Sequence, residues 1–153
     1  MSCLQAEAAW TGVIPAGAFL EWMASNLPSI SSHEVERILH DHLKPLPAIE
    51  RLSSWSQWAD LHLLTNHRCE WITPLLAPVR HCITSMTVSS EVGYCKPDQR
   101  IYQLVLEKLQ PERLILYVDD QQKNLVPASN LGWRTLLADR EGHWMEAVDK
   151  MLN

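Results

Sequence analysis

The sequence predicts an α/β protein in which a parallel sheet carries helices on both faces. Two observations predict it. After Pro45-Leu46-Pro47, short apolar runs at Leu61 to Leu64, near Ile83 to Met86, at Leu114 to Val118 and at Arg134 to Leu137 alternate with stretches of helical periodicity. Alternation of this kind requires crossover connections, and crossovers make strands parallel. Each of three apolar runs is also followed by a compact set of polar residues: Thr65-Asn66, then Lys96-Pro97-Asp98, then Asp119-Asp120. In an open parallel sheet the loops at the carboxyl ends of the strands line the ligand crevice.

Before the prolines the pattern is helical only. Pro15 suits the first turn of a helix whose apolar stripe is Phe19, Met23 and Leu27. Ser31 with Glu34 forms a capping box for the next, with Val35, Ile38, Leu39 and Leu43 as its apolar face. Beyond the prolines, helices are expected around Ile49 to Trp58, Cys69 to Leu76, Asp98 to Leu109, Gln122 to Leu131 and Gly142 to Leu152, with Gly132 as a helix stop. Trp55, Trp58, Trp71, Trp133 and Trp144 lie without interleaved basic residues and are expected to serve packing, not base stacking.

Composition narrows the function classes. The chain has 153 residues, 46% of them hydrophobic, enough for a sizeable core. A formal charge of -5 with interspersed signs offers no basic stripe for nucleic acid. No apolar run approaches the roughly 20 residues of a membrane span. The opening Met1-Ser2-Cys3-Leu4-Gln5 lacks the regions of a secretory signal, so a cytoplasmic location is expected. Cys3, Cys69, Cys82 and Cys95 form no C-x-x-C pair and read as reduced thiols. None of the seven histidines shows metal-ligand spacing.

Thr65 offers a hydroxyl beside backbone N-H groups that can hold a phosphate, with a simple N-cap as the plainer use, for which Asn66 competes. Lys96 sits before Pro97 at a strand-to-helix corner. Asp119 and Asp120 follow a buried-type strand, and two adjacent carboxylates suit a hard cation such as Mg²⁺; an acidic helix start is the plainer alternative. Asn124, one turn on, is placed either to orient a carboxylate or to face solvent.

These signatures, in this order, resemble the haloacid dehalogenase-like (HAD) hydrolase superfamily over most of the chain. Ser89 to Asp98 with Ile101-Tyr102 looks like its third motif, and Val118 to Asn124 with Gly132 like its fourth. The resemblance implies a Rossmann-like core over residues 47–153 and, over residues 1–46, the remnant of a small α-helical cap. It implies that Lys96 and Thr65 belong to the catalytic groups, that Thr65, Asn66 and Lys96 bind phosphate, and that Asp119 and Asp120 hold Mg²⁺. It also implies a first strand ending in Asp-x-Asp, which is absent here: Asp41, Asp60, Asp98, Asp119, Asp120, Asp139 and Asp149 include no pair two positions apart. In complete relatives the first of those aspartates attacks phosphorus and the second serves as acid and base.

The expectation is therefore a Mg²⁺-dependent phosphatase of small phosphorylated molecules by family, inactive as it stands and binding Mg²⁺ weakly. The branch of sugar-phosphate phosphatases and epoxide-hydrolase N-terminal domains is the nearest in pattern. The alternative is a non-catalytic relative that binds phosphate, metal or a protein partner. Dehalogenation of a 2-haloacid fits less well, because it needs no metal. The chain is expected to start inside the cap, and the central strand implied between those ending at Thr65 and Val118 is missing. Those two strands are then left open to self-association.

Overall fold

The computed structural model describes residues 8–27 and 29–152. Cys3, the opening Met1 to Gln5 and the first residues of the expected cap remnant lie outside the described residues. The architecture is α/β with parallel strands.

The first helices are α1 (Ala16–Ser25) and α2 (Ser32–His42). α1 follows Pro15, whose ring fixes a backbone angle compatible with a helix start. α2 opens with the anticipated capping box: Ser31 Oγ accepts from the Glu34 N-H, and the Glu34 carboxylate accepts from the Ser31 N-H at 3.0 Å. Phe19, Leu20 and Val35 from the two helices meet Ala9 and Trp71 in one apolar cluster. The stripes are narrower than the periodicity suggests. Leu27 falls beyond the end of α1, and both it and Ile38 are exposed, because only the face turned toward Trp71 is covered. Arg68 fastens this layer to the rest. Its buried guanidinium donates to the Ala9 carbonyl at 2.7 Å and the Ile14 carbonyl at 2.9 Å, and pairs with Glu70 at 2.8 Å.

A 3-10 turn (Pro47–Arg51) leads into the short α3 (Leu52–Trp55). The longer helix expected to Trp58 ends here, and Trp58 is 64% exposed, which corrects its reading as a packing residue. Trp55 is buried: its indole N-H donates to Asp149 at 2.6 Å and its ring packs on Trp144.

The strands follow as β1 (His62–Thr65), β2 (Ser85–Val88), β3 (Leu116–Asp119) and β4 (Arg134–Leu137). Between them run α4 (Cys69–Leu76) with a 3-10 turn (Ala77–Cys82), α5 (Ser89–Val92), α6 (Gln99–Leu106) and α7 (Gln122–Asn130); α8 (His143–Leu152) closes the chain. β1 to β3 lie one or two residues later than their apolar runs, because the parallel pairing runs on to Thr65, Val88 and Asp119. α6 starts after Asp98, whose carboxylate accepts from the Arg100 N-H at 2.9 Å, and ends at Leu106, short of Leu109. After α7, Gly132 takes a left-handed backbone with φ of 81°, which glycine adopts without strain.

The sheet is divided into two parallel pairs. β1 pairs with β2, aligning Leu63 with Met86 and Thr65 with Val88. β3 pairs with β4, aligning Tyr117 with Thr135 and Asp119 with Leu137. Among the described residues β1 and β3 share no ladder hydrogen bonds. Ile101, Tyr102 and Val105 of α6 pack with Tyr117, Leu125, Ala128 and Trp133, and Leu64 of β1 lies against this same cluster. One core thus underlies both pairs.

Candidate functional site

The site forms at the carboxyl ends of β1 and β3, where Lys96 joins the two. Its side chain is 12% exposed, and its Nζ donates to the Leu64 carbonyl of β1 at 3.3 Å and to Asp119 Oδ2 of β3 at 2.6 Å. Two contacts to groups on different strands fix an ammonium that would otherwise sweep through solvent. Asn66 fixes the backbone of the same residue. Its Nδ2 donates to the Lys96 carbonyl at 2.8 Å, while its Oδ1 accepts from the Lys96 N-H at 2.6 Å. The Asn66 amide is therefore committed to Lys96 at both ends.

Asp119 has four donors. Oδ2 accepts from Lys96 Nζ and from the Tyr117 hydroxyl at 2.7 Å; Oδ1 accepts from the Gln121 N-H and from Asn124 Nδ2, each at 2.9 Å. A carboxylate offers about four acceptor positions, so all are occupied. Burial pushes the Asp119 carboxyl upward; the hydrogen bond and charge of Lys96, then Tyr117 and Asn124, outweigh it and hold the group below the ordinary aspartate value. The Tyr117 hydroxyl is pushed strongly upward by burial and by its bond to Asp119. Tyr102, also raised by burial, to about 12, donates to the Asn124 carbonyl at 2.7 Å and stacks edge-on against Tyr117. Asp120, by contrast, is exposed.

Besides the exposed Asp120, the anticipated residues are placed as follows. Lys96 and Asp119 are in direct contact, Asn66 is bound to the Lys96 backbone, and Thr65 ends β1 one residue after the carbonyl that Lys96 holds. Thr65 and Asn66 do not cap a helix, since the residue before α4 is Arg68. Asn124 is buried and orients a carboxylate. The residue not anticipated is Tyr117. Its signal was the two-residue period of a strand, which places it on the face of Asp119, together with the need of a buried phenol for a partner.

The carboxylates do not fit a resident Mg²⁺ as arranged. A cation at Asp119 must displace the Lys96 ammonium or another donor, leaving Asp120 as the exposed carboxylate of the pair. Elsewhere Asp139, Glu141 and His143 draw together at the surface, where Asp139 caps α8 through the His143 and Trp144 N-H groups.

No family model matches the chain. A 62-residue segment, 39% of the chain, is 40% identical to the Acyl-CoA dehydrogenase family member 10 of Mus musculus, and that match spans 6% of the mouse protein. Among solved structures the chain is similar to a predicted HAD-like family hydrolase from Porphyromonas gingivalis, with a TM-score of 0.78 and 20% identity, covering 95% of this chain and 77% of that one. It is similar also to a HAD family enzyme from Bacteroides thetaiotaomicron, solved with magnesium (TM-score 0.76, 19% identity, 90% and 77% covered). An aspartate-to-alanine form of that enzyme, solved with magnesium and inorganic phosphate, gives a TM-score of 0.77 at 18% identity, with 91% and 74% covered. The chain therefore has the fold of the HAD-like hydrolases.

Proposed function

We propose that this chain carries the lysine and acidic half of a HAD-type phosphohydrolase site and that, on its own, it does not hydrolyse phosphate esters. The observation that carries this reading is the Lys96-Asp119 pair. The Lys96 ammonium, half-buried at the strand ends, is neutralised by Asp119, and the sequence carries no Asp-x-Asp pair to supply the attacking carboxylate. Lys96 and Asp119 cancel, while the exposed Asp120 adds a negative charge, so a phosphate dianion meets a weakly repulsive rim. The small phosphorylated ligand and the Mg²⁺ suggested by the magnesium-bound neighbour are accordingly held weakly. This chain's own contribution is to fix an ammonium through Leu64, Asn66 and Asp119.

The test is hydrolysis of an aryl phosphate by the purified chain with Mg²⁺. The expected rate equals the blank, since removing the nucleophile of a covalent mechanism costs several orders of magnitude. Turnover above the blank that disappears in Lys96→Ala would overturn the reading and reveal a different nucleophile.

A further inference from the structure

At the amino ends of β1 and β2, away from the strand ends that Lys96 joins, two side chains meet that the phosphohydrolase reading does not use. His62 opens β1, Ser85 opens β2, and the parallel register sets the two residues side by side. Their polar atoms touch: His62 Nδ1 and Ser85 Oγ lie 2.6 Å apart, and both residues are half-buried. A third group reaches them from the turn after α6. The Lys108 ammonium donates to the Met86 carbonyl at 2.6 Å and to Thr87 Oγ1 at 2.9 Å. Strand side chains alternate, so Thr87 shares a face of β2 with Ser85 and draws the ammonium to that face. Burial, aided by the Lys108 charge and opposed by the Asp60 carboxylate, holds the His62 imidazole below its ordinary value. At neutral pH the ring is therefore uncharged and able to take a proton.

We propose that Ser85, His62 and Lys108 form a second, esterolytic site, with Ser85 as nucleophile, His62 as its base and Lys108 as the cation that receives the oxyanion of a small carboxylic ester. Ser85 Oγ bonds to the carbonyl carbon while its proton passes to His62 Nδ1, and the carbonyl oxygen takes up the negative charge. The Lys108 ammonium uses two of its three hydrogens on Met86 and Thr87 and keeps the third for that oxygen. The bond to the alcohol then breaks, and the alcohol leaves with the proton from His62. Water gives a proton to His62 as it attacks the acyl group; the acid departs and the proton returns to Ser85 Oγ. Asp60, exposed two residues before His62, favours the intermediate imidazolium by its charge. The half-buried pair beside an exposed lysine is a shallow setting that grips little of a substrate, so the class is short acyl esters of acidic alcohols.

The experiment treats the whole chain with diisopropyl fluorophosphate, which phosphorylates a base-activated serine with loss of fluoride, and locates the label by peptide mass spectrometry. The expected result is a label on Ser85. Its rate of formation is expected to fall about a hundredfold in His62→Gln and at least about tenfold in Lys108→Met, with turnover of 4-nitrophenyl acetate falling in step. Labelling of the unaltered chain depends on no variant folding: an unlabelled Ser85, or label only at other residues, overturns the proposal. Equal labelling in a His62→Gln chain whose circular dichroism matches the original also overturns it, leaving the pair as a cross-strand hydrogen bond and nothing more. The label reports on Ser85, whereas aryl phosphate hydrolysis reports on Lys96, so the two readings stand or fall separately.

Discussion

The two strand pairs present their carboxyl ends to the same ammonium but are built differently there. At the end of β3 the Asp119 carboxylate is buried and receives four hydrogen bonds, one of them from Tyr117, which packs in a core cluster with Leu125 and Trp133. At the end of β1, Thr65 closes a strand of half-buried residues and, among the described residues, its hydroxyl engages no side-chain partner. Both residues belong to signatures that suggest ligand binding. Saturation separates them: a carboxylate with every acceptor position occupied is a structural anchor first, whereas an unengaged hydroxyl is available to a ligand at no structural cost.

Substitutions break this contrast in a graded way. Asp119→Ala carries the largest expected effect. It leaves the Lys96 ammonium and the Tyr117 hydroxyl without their acceptor, and loss of one member of a buried pair costs about 3 to 5 kcal/mol. Urea unfolding at neutral pH measures it, and a loss below about 1 kcal/mol would show that the pair is effectively solvated. Tyr117→Phe comes next. It keeps the ring and removes one hydrogen bond to a charged acceptor, for an expected loss of about 1.5 to 3 kcal/mol.

Acid is a milder version of the first substitution. The folded Asp119 carboxyl lies below its ordinary value, so its contribution is complete above the unfolded value near about 4 and disappears as pH falls through the lower folded one. Other acids titrate in this range, so the informative quantity is the difference between wild type and Asp119→Asn. The two stability curves are expected to begin approaching each other below about pH 4 and to meet only below the lower folded value; a constant gap would mean that the carboxyl is not held down in the folded state. Thr65→Val has the smallest expected effect, within about 0.5 kcal/mol. A larger loss would show that Thr65 is as structural as Asp119 and erase the contrast between the rims.

Much of this was legible in the sequence, and the limits are physical. The strand positions, the Ser31 capping box and the helix stop at Gly132 follow from periodicity and local hydrogen bonding, whereas the gathering of Lys96 and Asp119 at the strand ends came from the order of the resembling motifs. Trp58 and Ile38 were misplaced because periodicity identifies an apolar residue but not whether another element covers it. The bond from Asn66 to the Lys96 backbone was not legible, because its partner lies 30 residues away in sequence. Tyr117 was read only as part of an apolar run, since nothing local distinguishes a phenol that packs from one that also donates. The paired reading of Asp119 and Asp120 missed that strand geometry buries the first while the loop exposes the second.

The account depends on Lys96 being held as an internal counter-ion. Side-chain NMR of lysine ammonium groups, recorded with and without millimolar Mg²⁺, observes it directly. The expected result is a slowly exchanging Lys96 ammonium resonance that is absent in Asp119→Asn and unmoved by Mg²⁺. A Lys96 signal averaged with the solvated lysines, or one that Mg²⁺ displaces, would contradict the account and return Asp119 to the role of a metal ligand.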